Sequence, residues 1–206
     1  MTIEWYIKNV LVKDLGKMVF TPGLQYLSFG VMGSMIEFLG AFFDYEDFHK
    51  QGLSQKRFSK AIQSLTAFSE YRKFDDSQNP HDLYSNMRCG MAHIGRPNVG
   101  VAFTERGNPK EWDKHLQVCN VNDPPNHPQR LILVCEDLYF DITNGANELL
   151  IRMKAKDSSI KRKGLRKKSE GKIATLPIWT ERIVTSRFRK SPRRDSAILC
   201  DASHWI

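Results

Sequence analysis

Cysteine is scarce in this chain, and none of it is paired by spacing. Cys89, Cys119, Cys135 and Cys200 form no Cys-x2-Cys and share no regular interval. A zinc ribbon and a disulfide framework are therefore not indicated, and reduced thiols are the simplest reading. The opening residues, Met1-Thr2-Ile3-Glu4-Trp5-Tyr6, contain no basic stretch leading into an apolar one. No secretory signal is expected, and the expected compartment is the cytoplasm. No long uninterrupted apolar run occurs either. Leu24 to Phe43 comes nearest, but Gln25, Ser28, Ser34 and Glu37 interrupt it, and Gly30, Gly33 and Gly40 lower its apolar density. A buried central helix is expected there, with no membrane partner. Internal repeats and an obvious set of metal ligands are also lacking, so no cofactor is expected.

What is present is charge divided unevenly. From Arg152 to Ile206 there are 16 Lys and Arg against 5 Asp and Glu, a net of +11. Residues 1–151 hold 15 against 18, a net of −3. A slightly acidic body carries a basic tail, and the tail favours an anionic partner, nucleic acid first and an anionic membrane surface second. Lys161, Arg162, Lys163, Arg166, Lys167 and Lys168 are the candidate phosphate contacts, with Trp179 and Phe188 available for stacking. A solvated tail without a specific ligand, or an extension unrelated to the body, are the competing readings.

Apolar periodicity makes the body mainly helical. Ile3, Ile7, Val10, Leu11, Leu15 and Met18 predict a first helix ending at Pro22-Gly23. Leu24 to about Tyr45 predicts a second, central one. Ser54 reads as the N-cap of a third, with Phe58, Ile62, Leu65 and Phe68 inward. A fourth runs from about His81 to His93, and a fifth from about Glu136 to Ala155, with Leu138, Ile142, Leu149, Leu150 and Met153 inward. Between them, Val99, Val101 and Phe103 alternate, as do Leu116 and Val118, and Leu131 to Cys135 is a short apolar run. Turn signals at Gly107-Asn108-Pro109 and Asp123-Pro124-Pro125 lie between these runs, predicting a small antiparallel β insertion over about residues 96–135. The expected organisation is a helical domain over residues 1–155 and a basic tail, disordered or loosely docked, over 156–206.

The chemistry-bearing residues sit in the fourth helix, within Asp82-Leu83-Tyr84-Ser85-Asn86-Met87-Arg88-Cys89-Gly90-Met91-Ala92-His93. An imidazole near neutrality can take a proton from a ribose 2′-hydroxyl, while a guanidinium stabilises the charge that grows on the phosphorane oxygens. On an ideal helix, residues five apart differ by about 140°. Arg88 therefore flanks the stripe on which Asn86 and His93 nearly align, with Cys89 and Gly90 beside it. A loosened turn at Gly90 would let the ring swing toward the guanidinium, and Gly90 would admit another backbone closely, as a helix or dimer contact requires. The bland reading stands beside this one: Arg88 as a structural ion pair and His93 as a cap at the helix C-terminus. Glu37, alone in an apolar helix, is expected to pair with an Arg or a hydroxyl; Arg88 is a candidate partner that Glu37 would orient. His49, His81, His115, His127 and His204 read as surface or turn residues.

With those residues quoted, the chain resembles the HEPN superfamily, in particular a bacterial branch with an Arg-Cys-Gly-x-x-His signature. The stretch Ile36-Glu37-Phe38-Leu39-Gly40-Ala41 is similar to that branch as well. The resemblance covers about residues 1–155 and implies a mainly four-helix up-and-down bundle. It further implies a homodimer whose paired Arg and His line one cleft and cut RNA without a metal. By that resemblance His93 is the general base or acid and Arg88 the phosphate stabiliser, in a toxin, defence or RNA-processing role with an antitoxin-type protein as a possible partner. Active members usually carry Asn, Asp or His directly after the Arg, whereas this chain has Cys89. A non-catalytic RNA- or nucleotide-binding module and a helical dimerisation scaffold are the alternative readings.

Overall fold

The structure, a computed structural model, describes residues 2–108, 113–120 and 129–161. It is mainly helical, with one small mixed sheet. Helix α1 covers residues 3–19, and its middle, Ile7–Asp14, is π-helical. Its fully buried side chains, Ile7, Leu11, Leu15 and Val19, recur every four residues. An α-helix turns once per about 3.6 residues, so that repeat would drift around it; the wider π turns keep the stripe facing the core.

Helix α2, Gln25–Gly40, continues into a 3-10 turn at Ala41–Phe43. It packs against every other helix described here. By length and composition Gln25–Phe43 could cross a bilayer, at a mean hydropathy of 1.4, yet 56% of it is buried inside this fold. Phe29, Met32, Ile36 and Leu39 supply its core face. Helix α3, Ser54–Ser64, crosses α2 so closely that a Cβ on Gly40 would come 1.6 Å from the Arg57 carbonyl oxygen.

The third helix is shorter than its apolar pattern predicts. It stops at Leu65, whose backbone is extended, and a separate 3-10 segment, Thr66–Phe74, carries Phe68, Tyr71 and Phe74 into the core. The reason for the break is tertiary. The Thr66 N–H donates to Glu148 Oε2 at 2.7 Å, so a carboxylate from the last helix caps the new segment. Ser54 is not an N-cap either; its hydroxyl points elsewhere, as described below.

Helix α4 spans residues 84–94, π-helical over Tyr84–Cys89 and α-helical over Gly90–Ile94. Buried Asp82 accepts from the Ser85 N–H at 2.8 Å to start it, and Gly95, at φ 68°, ends it in the left-handed region. Among the described residues three strands follow, β1 (Val101–Thr104), β2 (Val118–Cys119) and β3 (Arg130–Val134), in the order β1-β3-β2. The sheet is mixed rather than antiparallel: β1 pairs with β3 in parallel, Val101 opposite Leu131, and β2 pairs with β3 antiparallel, Val118 opposite Leu131. The turn signals predict an antiparallel sheet, but the chain leaves β1 and passes to the far side of β3. β3 is thus central and buried, which accounts for its unbroken Leu131-Ile132-Leu133-Val134 run. Phe103 of β1 stacks on Phe29 of α2, with centroids 3.8 Å apart, and ties the sheet to the helices.

Helix α5, Cys135–Lys154, begins directly after β3, with Glu136 and Asp137 in its first turn and Arg152 and Lys154 in its last, as the helix dipole favours. The body does not end there. Arg152 Nε donates to Asp157 Oδ2 at 2.9 Å, Ile160 is buried, and the Lys161 N–H donates to the Phe42 carbonyl at 2.7 Å. Residues 157–161 therefore belong to the packed body, and the expected tail boundary moves past them. An Arg guanidinium holding a short acidic turn is a tertiary feature that charge counting cannot reveal.

Candidate functional site

Arg88 meets Glu37 where α4 lies over α2. Gly33, one turn before Glu37 on the same face, makes room: a Cβ there would stand 3.3 Å from Arg88 Cγ and 3.4 Å from its Cα. Arg88 Nε and Nη2 both donate to Glu37 Oε2, at 3.0 and 2.7 Å. The other carboxylate oxygen, Oε1, accepts the Ser54 hydroxyl at 2.7 Å, so α3 fixes the carboxylate from its opposite side. Both ionic side chains are about one-fifth exposed, at 19% and 20%. Tyr84, one turn before Arg88, places its ring 5.8 Å from the guanidinium carbon, a cation–π contact. Burial, then a hydrogen bond with the Cys89 thiol, raises the Tyr84 hydroxyl above its ordinary pKa.

One edge of the guanidinium is thus locked. Nη1 makes no hydrogen bond among the described residues, which leaves two N–H groups for an incoming anion. His93 is exposed, and its ring makes no hydrogen bond among the described residues. The structure does not join it to Arg88. It does not cap the helix either, because Gly95 does so.

Asn86 lies outside the site. It is buried and spent on the segments that flank α4: Nδ2 donates to the Pro80 and Asp82 carbonyls before the helix, at 3.1 and 2.8 Å, and Oδ1 accepts the Gly100 N–H after it, at 3.1 Å. Gly90 is covered by the loop after α4, since a Cβ there would stand 2.6 Å from the Arg96 carbonyl oxygen. The close backbone approach it permits is therefore intramolecular. Cys89 is partly buried beside Tyr84.

Sequence reasoning missed two members of the cluster. Tyr84 stands at i−4 from Arg88, a helical spacing that could have found it. Ser54 carries no local signal, being 17 residues from Glu37 in sequence. Among the other histidines, His49 is exposed and His81 places Nδ1 2.9 Å from the Gly100 carbonyl oxygen. His115 lies in a turn, as expected, but is not a surface residue: it is largely buried against Tyr71 and Asp141. Nothing in the polar sequence around it signals that, because its partners come from the 3-10 segment and α5. His127 and His204 lie outside the described residues. So do Arg162, Lys163, Arg166, Lys167, Lys168, Trp179 and Phe188. Lys161 is described, and its ammonium donates to the Ser158 carbonyl at 2.9 Å and sits 5.1 Å from the Tyr45 ring centroid. No group of three or more His, Cys, Asp or Glu suited to a metal occurs among the described residues.

No protein-family model, no curated protein and no solved structure matches this chain.

Proposed function

We propose that the protein cleaves RNA by internal attack of a ribose 2′-hydroxyl, with Arg88 binding the scissile phosphate and His93 transferring a proton. The observation that carries this reading is the half-locked guanidinium. Glu37 and Ser54 hold one edge of Arg88 in place while Nη1 makes no hydrogen bond among the described residues, and an exposed imidazole stands five residues further along the same helix. Phosphate recognition by a pre-oriented fork needs little reorganisation when charge develops. His93 takes the 2′-hydroxyl proton as the 2′-O–P bond forms. The P–O5′ bond then breaks, and the departing oxygen takes a proton from a second imidazolium. One chain supplies one such histidine, so the reading includes a homodimer that offers two at a shared groove.

A second reading, binding of RNA or a nucleotide without cleavage, is favoured by a separate observation. Glu37 neutralises Arg88, and the residue after Arg88 is a thiol on Tyr84 rather than a fixed polar group facing the phosphate. Incubating single-stranded RNA with the full-length protein separates the two. Cleavage is expected with or without EDTA, leaving 5′ fragments that end in 2′,3′-cyclic phosphate. Binding without cleavage would establish the second reading, and cleavage abolished by EDTA would exclude the first.

The basic tail adds affinity in this proposal. Removing residues 162–206, and not the docked 157–161, is expected to leave the helical circular dichroism unchanged and to weaken RNA binding. The slope of log affinity against log salt should flatten by about 0.7 per lost phosphate contact on single strands, with sequence preference unaltered. Equal affinity and equal slope for both proteins would remove the tail from the account.

A further inference from the structure

His115 belongs to a cluster separate from the Arg88 site. Its Nδ1 accepts the Val134 N–H at 3.0 Å, so the neutral ring carries its proton on Nε2. That Nε2–H faces the Tyr71 hydroxyl oxygen at 2.8 Å, and Tyr71 donates in turn to Asp141 Oδ2 at 2.6 Å. The chain of bonds has a single direction, from imidazole to phenol to carboxylate. It offers no free base, and Tyr71 is only 1% exposed, so catalysis is not its task.

What the cluster does is seat the segment 113–120. On the strand side this segment is held by the Val134 N–H on His115 Nδ1, the Leu116 N–H on the Ile132 carbonyl, the Ile132 N–H on the Gln117 carbonyl, and the pairing of β2 with β3. On the helical side, its hydrogen bonds among the described residues run through the His115 ring. Leu116 is held at φ 59°, a left-handed conformation uncommon for such a residue, so the segment is seated under strain.

We propose that His115 is a proton-operated pin: the neutral ring holds segment 113–120 to β3 through Nδ1 and to Tyr71 through Nε2, and a proton on Nδ1 breaks the first hold and loosens the segment from the strand. Protonated Nδ1 would set one donor against another, the Val134 N–H. The surroundings offer the cation little compensation. Asp141, 3.8 Å from Nε2, is spent on Tyr71, and burial raises its carboxyl so that acid neutralises it. Asp137 favours the imidazolium but is paired with Arg106, whose charge opposes it. Burial is the largest influence and holds His115 down to about 4 from the ordinary 6.5. A histidine depressed on folding contributes stability that is complete above 6.5 and is lost as the pH falls toward about 4.

Nitrogen-15 NMR on the full-length protein reads the pin directly. At pH 7 the His115 ring is expected to be protonated on Nε2 and bare on Nδ1, with a titration midpoint near 4. Amide exchange, corrected for intrinsic rates, adds the consequence. Opening at Leu116, Ile132 and Val134 should rise about tenfold for each unit by which the pH falls between the two pKa values, while Ile142 and Ala146 of α5 remain protected. His115→Asn keeps an acceptor for Val134 but cannot titrate, and should abolish that slope. The proposal is overturned by a ring protonated on Nδ1 at pH 7, by a midpoint near 6.5, by α5 opening in step with the segment, or by an unchanged slope in the variant.

Discussion

Arg88→Ala and His93→Ala are each expected to eliminate RNA cleavage, His93→Ala by a factor on the order of 10²–10⁴. Removal of His93 touches no packing, since the ring is exposed, so its circular dichroism and thermal midpoint should match the parent protein. Arg88→Ala is less neutral, because Glu37 then keeps only Ser54 as a partner in a setting one-fifth exposed. The double variant Arg88→Ala/Glu37→Gln removes that orphaned charge and should recover the stability without the activity. Glu37→Gln or Ser54→Ala alone loosens the guanidinium while leaving it present, so about a tenfold lower rate with the same cyclic-phosphate product is expected. Cys89→Asn places a fixed polar group beside Arg88 and should raise the rate. Cleavage that persists in both single alanine variants would end the mechanism.

Arg57→Ala should cost about 3–5 kcal/mol of folding stability, because it strands a buried charge. Arg57 and Asp44 are 4% and 5% exposed. Nε donates to Asp44 Oδ2 at 2.9 Å, Nη1 to the Phe48 carbonyl at 2.9 Å, and Nη2 to the Asp47 carbonyl at 2.6 Å. One side chain thereby organises residues 44–48, the first half of the connection between α2 and α3. Lysine cannot reproduce a planar fork that reaches several oxygens at once, so Arg57→Lys should lose most of the same amount. Urea denaturation followed by circular dichroism measures both, and a loss below about 1 kcal/mol for Arg57→Ala would contradict the role of a buried, fully bonded ion pair. Replacing both partners by apolar residues should recover part of the loss.

The Arg57 clamp also shows where reading the sequence stops. Its helix was legible through Phe58 and Ile62, but nothing local distinguishes Arg57 from a solvated arginine on an amphipathic helix. The same holds at the site. A lone Glu37 in an apolar helix announces a need for a partner, and Arg88 was a reasonable one because few cations stand near apolar neighbours. The third member, Ser54, looked like a cap, since a hydroxyl before a helix has a local use that masks a distant one. Asn86 failed as a site residue for the opposite reason: helical alignment with His93 says nothing about the loop that folds back onto it.

By itself the sequence determined the kinds and approximate places of the elements. Helical periodicity marked the stretches that became the helices, the glycines at 95 and 23 lay where helices end or turn, and the composition of α2 made it the central one. These properties follow from neighbours within a few residues, where steric preference and apolar patterning act. Only the tertiary structure decided that β3 is central in a mixed sheet, that Glu148 ends the third helix at Leu65, that Arg88, Glu37 and Ser54 share one cluster, and that a turn histidine is buried on Tyr71. Each joins groups tens of residues apart, through hydrogen bonds and charge pairing that burial makes obligatory and that no local pattern encodes.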